Sequence, residues 1–278
     1  MSDMAVRFNK IFTAVHQRYS RHIQCARTIF KRMNKRYFVR KFVVQMPKGK
    51  LAGSENIKTL LYVLYLPIDM NKLLLRSDEF EEAINTILGA GVIELFDQSP
   101  KLLVRAHTCL LSLEHARSVR ILFSTNAPHS ASALLRLQYE ALLRAAWVLY
   151  AASDLQITKL DAPLDANSEQ AANNLPGALE MLKALEAKAP VGLTQPLTEF
   201  RTVAMKGLNS FVHGGIHPLR RISEGFPEAL ALQLVQNSNG LMHFSYRILA
   251  GLTGSQHLMN QTTHLYGEFQ DCFPVPSV

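Results

Sequence analysis

Apolar residues recur every three or four positions through the last three quarters of the chain, which is the spacing of amphipathic helices. Asp78 followed by Glu81 predicts the capped start of a first helix. Ser99 followed by Pro100 predicts the start of a second helix. Signals for β-strands are absent from this part of the sequence. We therefore predict an all-α fold, built as an antiparallel helical bundle.

Breaks in the apolar pattern divide the chain further. Asn126, Ala127 and Pro128 end the second helix, and residues 153–176 are polar enough to predict a loop. Besides the helix that starts at Pro100 and runs to about residue 123, the spacing predicts helices over residues 130–152, 176–187, 196–213, 227–249 and 256–269. These lengths are typical of helices in bundles.

The first quarter of the chain differs from the rest in charge. Residues 1–69 hold 14 Lys and Arg against three acidic residues, a net charge of +11, whereas residues 70–278 carry −3. Apolar positions over residues 8–33, interspersed with Lys and Arg, predict a basic amphipathic helix, and residues 37–46 predict a short strand. We predict a basic N-terminal extension over residues 1–69 and a helical-bundle domain over residues 70–278.

Two interpretations of this extension stay open. It is either an over-extended gene start, dispensable for the working protein, or a functional basic arm. A basic amphipathic helix can lie on an anionic membrane, bind nucleic acid or serve as an organellar transit peptide. The helical pattern is compatible with both interpretations.

The composition argues against several classes of protein. Hydrophobic residues make up 48% of the 278 residues and charged residues 19%, enough to bury a core. The three cysteines form no CxxC pair, which argues against a zinc ribbon or a disulfide framework. No apolar run reaches the ~18 residues that crossing a membrane requires. The common nucleotide-binding, hydrolase and zincin motifs are missing, so we predict neither a metal nor a cofactor.

The helix predicted over residues 130–152 carries one charged stripe. Arg136, Glu140 and Arg144 lie four residues apart and therefore share a face, while the remaining positions are nearly all apolar. One Glu between two Arg leaves a charge of +1, and a buried charge requires a partner. Three interpretations follow: an internal salt-bridge ladder that joins two helices, an anion or phosphate site, or simple exposure to solvent. Arg201 is a candidate partner of Glu140, or else an exposed residue.

A second motif lies about sixty residues later. Lys206, Asn209 and His213 share the polar face of one predicted helix, and His217 follows shortly after. Gly214 is the residue expected after a helix end, with Ile216 packing back and Pro218 stopping the helix, so His213 can be an ordinary residue at a helix C-terminus. The other interpretation is functional. A histidine beside a second histidine, a lysine and an asparagine can perform general acid–base catalysis on a phosphodiester.

The two motifs together resemble a bacterial family of helical proteins of uncharacterised function, over about residues 70–252. This family in turn resembles, distantly, the HEPN-type helical domains of toxin–antitoxin and phage-defence systems. HEPN ribonucleases show an Arg, four to six residues and then a His. Here a lysine, Lys206, takes the place of that arginine, with six residues between it and His213. The resemblance implies a cytoplasmic homodimer with RNA or a nucleotide as ligand and an antitoxin or other protein as partner.

Two functional hypotheses follow. In the first, the protein binds or processes RNA or a nucleotide without a metal: His213 is the acid–base residue, and Lys206, Arg136 and Arg144 stabilise phosphate charge. Glu140 orients the arginines. The assisting or binding residues would be Asn209, His217 and Arg201. In the second hypothesis the protein is a non-catalytic interaction or ligand-sensing module, and the charged stripe is a structural ladder.

Overall fold

Residues 69–89 and 93–274 are the part of the chain that the computed structural model describes. Within these residues the chain forms ten α-helices and no strand, so the predicted all-α fold is confirmed. The basic helix predicted over residues 8–33 and the strand predicted over residues 37–46 lie outside the described residues. None of the described helices combines the length and the apolar character that crossing a membrane requires.

The helices follow one another with short connections. They are α1 (Met70–Ile87), α2 (Pro100–Ser124), α3 (Pro128–Tyr150), α4 (Asp154–Asp161), α5 (Ala166–Ala172), α6 (Ala178–Glu186), α7 (Val191–Val212), α8 (Ile216–Glu224), α9 (Glu228–Leu252) and α10 (Gln256–Glu268), followed by a 3₁₀ turn, Gln270–Cys272.

The predicted turn between α2 and α3 is confirmed. Pro100 and Pro128 each occupy the first position of a helix, where the missing N–H would have had no intrahelical partner. Between the helices Asn126 adopts a left-handed conformation with φ of 61°, which asparagine tolerates better than most residues. The three-residue connection therefore reverses the chain and sets α3 against α2.

The predicted start of α1 is wrong. The helix begins two turns earlier, at Met70, where the side chain of Asp69 accepts a hydrogen bond of 2.8 Å from the backbone N–H of Lys72. Asp78 and Glu81 lie inside the helix instead of capping it, and both carboxylates pair with arginines of α2. A local capping pattern thus conceals a pair of long-range ionic contacts.

The loop predicted over residues 153–176 is also wrong. It contains the short helices α4 and α5, each opened by a capping box. Ser153 exchanges hydrogen bonds with Gln156, and Asp165 does so with Ser168. The polar composition of the segment reflects these caps and its exposure to solvent.

The core is organised around α2. Its Arg105 donates to the backbone carbonyl of Ala145, and its Ser112 donates to the carbonyl of Gln138, so residue numbers rise on α2 as they fall on α3. The two helices are therefore antiparallel, and contacts with α1 and α9 show that α2 is antiparallel to these helices as well. The largest side chains sealed in this core are Trp147, Tyr139, Tyr246, Phe80 and Phe273.

A network of charges is buried where α1, α2 and α9 meet. We call it the Glu81 network: Asp78, Glu81, Arg117, Arg120 and Tyr246. Glu81 accepts hydrogen bonds from both arginines and from the hydroxyl of Tyr246, and Arg120 also donates to Asp78. Two carboxylates balance two guanidinium groups, so the network is neutral as a whole.

Helix α7 packs against α3 on a different face from the one that meets α2. The hydroxyl of Tyr139 donates to the carbonyl of Leu197 at 3.1 Å, and its ring stacks on Phe200 with 4.9 Å between ring centroids. Helix α7 begins at Val191, ahead of the predicted start, and includes Pro196. This contact fixes the register of α7 along α3.

A two-glycine turn connects α7 to α8. Gly214 follows the helix end with φ of 63°, as predicted. Two details of the prediction are wrong: Ile216 is exposed instead of packing back, and Pro218 lies in the first turn of α8 instead of stopping the preceding helix. A Cβ atom on Gly215 would approach Ser210 Oγ to 2.5 Å, so the turn requires glycine there.

Candidate functional site

The charged stripe of α3 lies on the side of the helix that meets α7. Arg136 and Glu140 form an ion pair of 2.9 Å along the helix, and their side chains are 21% and 29% exposed. The pair therefore joins neighbouring turns of one helix instead of bridging two helices. It holds the Arg136 guanidinium in place at the edge of the core.

The second sequence motif meets this stripe through His213. The distance between Arg136 Nη1 and His213 Nε2 is 3.2 Å. A guanidinium has only donors, so in this contact the histidine nitrogen accepts, and the ring proton resides on Nδ1. Two polar motifs that lie 77 residues apart in the sequence therefore share one contact. His213 itself is exposed to solvent.

Arg144 continues the stripe two turns along α3. It is half-buried, and it forms no ion pair or hydrogen bond with the described residues. Burial lowers the pKa of the Arg144 guanidinium, while the charge of Glu140 acts in the opposite direction. Since Glu140 bonds to Arg136, the positive charge of Arg144 is not neutralised by a direct partner among these residues.

Arg201 approaches the stripe from α7. It is half-buried and acts electrostatically on Tyr139. Burial raises the pKa of Tyr139 to about 12. The carboxylate of Glu140 bonds to Arg136 and not to Arg201. The pairing of Arg201 with Glu140 that the sequence suggested is therefore not formed, and Arg201 adds a second cation without a direct counter-charge in the described structure.

The other predicted residues of α7 and α8 lie near His213 on exposed surface. Lys206 and Asn209 are exposed, and their side chains make no hydrogen bond within the described structure. The ring of His217 stacks on Phe211 with 6.2 Å between centroids and an interplanar angle of 25°. The backbone N–H of His217 donates to Ser210 Oγ at 3.0 Å, which fixes the start of α8.

Helices α3 and α7 meet at two places: Arg136 contacts His213 at the end of α7, and Tyr139 contacts Leu197 in an earlier part of it. At 1.5 Å per residue, Arg144 lies about 12 Å from Arg136 along its helix, and Lys206 about 10 Å from His213 along the other. The structure thus brings Arg136 into contact with both Glu140 and His213, and the other predicted cations lie elsewhere on α3 and α7.

An aromatic cluster that sequence reasoning missed closes one end of the junction. Phe226 packs against Phe123, His129 and Phe211, and Arg221 lies 5.7 Å above its ring. These residues come from four different helices and from the connection that follows α8, and no local pattern relates them. The cluster supports the turn that carries His213 and His217.

Fold and geometry together define an all-α protein with a partly exposed group of charged residues where α3 meets α7. Residues 109–275, three fifths of the chain, match a family of unknown function (DUF6988), and the chain belongs to this family. The matched region includes both motifs of the junction. No curated protein matches the chain. No solved structure matches it either.

Proposed function

We propose that the junction of α3 and α7 binds the phosphate groups of RNA or a nucleotide, and that His213 takes part in their chemistry. The observation that carries this proposal is the 3.2 Å contact between Arg136 Nη1 and His213 Nε2 at an exposed position. An acid–base residue beside a fixed guanidinium is a combination that phosphoryl chemistry uses.

The charge of the junction supports an anionic ligand. Four cations belong to its two helices: Arg136 and Arg144 to α3, Arg201 and Lys206 to α7. Two carboxylates act in the same region: Glu140, which is paired with Arg136, and Glu186 of α6, which acts electrostatically on Tyr139, as Arg201 does. Arginine binds phosphate through two parallel hydrogen bonds, and each neutralised phosphate releases counterions. A chain of phosphates matches cations spaced along two helices better than a single small anion does.

The contact also suggests how a ligand prepares His213. While Arg136 donates to His213 Nε2, the lone pair of that nitrogen is occupied. A phosphate that accepts from Arg136 Nη1 in place of the histidine frees the nitrogen, which can then remove the proton of an RNA 2′-hydroxyl as that oxygen attacks the adjacent phosphorus. The bond from phosphorus to the 5′-oxygen breaks as the 2′,3′-cyclic phosphate forms, and the leaving 5′-oxygen takes up a proton from water. Glu140 holds Arg136 in place, and Lys206 and Arg144 stabilise the charge of the transition state, with assistance from Asn209 or His217.

The biological setting follows only from the resemblance to HEPN-type domains. On that resemblance we propose a cytoplasmic homodimer in a toxin–antitoxin or defence system, with an antitoxin or another protein as its partner. Those ribonucleases have arginine where this chain has Lys206. A lysine contacts a phosphate through a single ammonium group, whereas an arginine can donate two parallel hydrogen bonds to it.

RNA binding tests the site directly. We expect Arg136→Met to weaken binding of labelled single-stranded RNA about ten- to hundredfold, the range of a lost charge-assisted hydrogen bond, and to reduce the salt dependence by about one phosphate contact. Arg220→Met is the control, because Arg220 is an exposed arginine of α8 that pairs with Glu224. Fluorescence anisotropy at several salt concentrations gives both quantities. Equal losses in the two variants would contradict a phosphate site at Arg136.

One observation favours the non-catalytic alternative. Ile216, Leu219 and Ile222 expose 63 to 71% of their surface on α8, an apolar ridge beside the candidate site. Ridges of this kind occur where proteins associate. In this second candidate function the protein is an interaction module and the Arg136–Glu140 pair is structural, so the RNA affinity would be unaffected by Arg136→Met.

A further inference from the structure

Arg105 of α2 is a buried cation without a carboxylate partner in the described structure. Arg105 is 8% exposed, and its Nε–H donates to the backbone carbonyl of Ala145 at 3.2 Å, which is its one hydrogen bond within the described residues. Arg117 and Arg120 on the same helix are also buried but share Glu81. Arg105 therefore differs from the buried arginines of the network in having no counter-charge.

A buried guanidinium remains charged, because its pKa stays far above neutrality even when burial lowers it. Burial does lower the pKa of Arg105, while Cys109 and Tyr150 act in the opposite direction. Leaving such a charge without a partner is strongly unfavourable. The single carbonyl of Ala145 uses one of the five donors of the side chain.

The remaining donors of Arg105 are available for a ligand. Its two Nη atoms bond to nothing among the described residues, and neither atom belongs to the polar atoms that are sealed from solvent without a partner. Both Nη groups therefore retain some accessible surface. Two Nη groups side by side are the arrangement that binds two oxygens of one oxyanion.

We propose that Arg105 anchors a binding site for a small monocarboxylate at the contact of α2 and α3. One guanidinium carries one positive charge, so a carboxylate neutralises it, whereas a phosphate dianion would leave a buried negative charge. Arg105 lies on α2 and bonds to Ala145 of α3, whereas Arg136 contacts His213 at the end of α7. It is thus separate from the RNA or nucleotide site proposed above, and neither proposal depends on the other.

Thermal unfolding of the full chain in different salts tests the proposal. Sodium acetate, sodium phosphate and sodium chloride are compared at one pH and one ionic strength, for the wild type and for Arg105→Met. Because acetate also stabilises proteins nonspecifically, the quantity of interest is the difference between the two proteins. Arg105→Met keeps most of the side-chain volume and removes the charge. Arg105→Lys keeps the charge and removes the paired Nη groups. Arg220→Met serves as a surface control.

At ten times its dissociation constant, acetate should raise the melting temperature of the wild type by about 3 to 6 °C more than that of Arg105→Met. Arg220→Met should respond like the wild type, and Arg105→Lys should respond less. An equal response of wild type and Arg105→Met would overturn the site. If the difference in melting temperature between wild type and Arg105→Met were larger in phosphate than in acetate, the assignment of a monocarboxylate would be overturned.

Discussion

Glu81→Gln is expected to lower the free energy of unfolding by about 3 to 5 kcal/mol, the range found when one partner of a buried ion pair is removed. Glu81 is 6% exposed and accepts hydrogen bonds from Arg117, Arg120 and Tyr246. Arg117 and Arg120 favour the ionised carboxylate and hold the pKa of Glu81 down at about 2, against the effect of burial. Glutamine keeps the shape but leaves two buried guanidinium groups with Asp78 as the remaining carboxylate of the network.

Urea unfolding followed by the helical circular dichroism signal measures this loss. Glu79→Gln is a matched control on the same helix, since Glu79 forms a partly exposed pair with Arg76 and should contribute less than about 1 kcal/mol. The network account fails if the two variants lose the same stability. It is also contradicted if Glu81→Gln is as stable as the wild type.

The second large effect concerns acid and His243. This ring lies between Phe80, Tyr266 and Phe273, and its Nε2–H donates to the carbonyl of Thr262 at 3.1 Å. Burial lowers the pKa of His243 from 6.5 to about 4. The unfolded chain therefore binds a proton more readily than the folded chain between these two values. Stability from this group is complete above pH 6.5 and is lost as the pH falls, by about 3 kcal/mol at pH 4.

His243→Phe removes the proton acceptor while keeping an aromatic ring against Tyr266. We expect it to reduce the pH dependence of unfolding between pH 6.5 and 4 by about 3 kcal/mol, measured by urea titrations at intervals of half a pH unit. His264→Phe is the control, because His264 is an exposed histidine of α10. Glu81 loses its contribution only below about pH 4.5, so the two effects occupy different pH ranges. An unchanged pH dependence in His243→Phe would contradict the assignment.

Local signals predicted the parts of the fold that depend on neighbouring residues. Pro100, Pro128 and Gly214 mark helix ends through backbone geometry alone, and the structure has them there. Asp78 and Glu81 show where this reasoning fails. Their spacing fits a capping pair, but the arginines that bind them lie 36 to 42 residues away. The identity of such partners depends on how whole helices pack.

The candidate site was predictable to the same extent. The spacing of Arg136, Glu140 and Arg144 placed them on one helix face, because four residues are about one turn. The contact of Arg136 with His213 required the register of α7 along α3, which Tyr139 fixes through contacts that no sequence pattern encodes. Arg105 could not be predicted as a site, because the sequence around a single arginine in an apolar turn indicates neither its burial nor the absence of a counter-charge.

Turnover of RNA by the wild type and by His213→Ala decides whether His213 is a catalytic acid–base residue. The two proteins and the control variant His264→Ala are incubated with labelled total RNA and a panel of nucleotides, without added metal. We expect cleavage or transfer by the wild type, an unchanged rate for His264→Ala and a loss of about 10²- to 10⁴-fold for His213→Ala, the usual contribution of a general acid or base. Equal product from wild type and folded His213→Ala, or none from either, would contradict a catalytic role for His213.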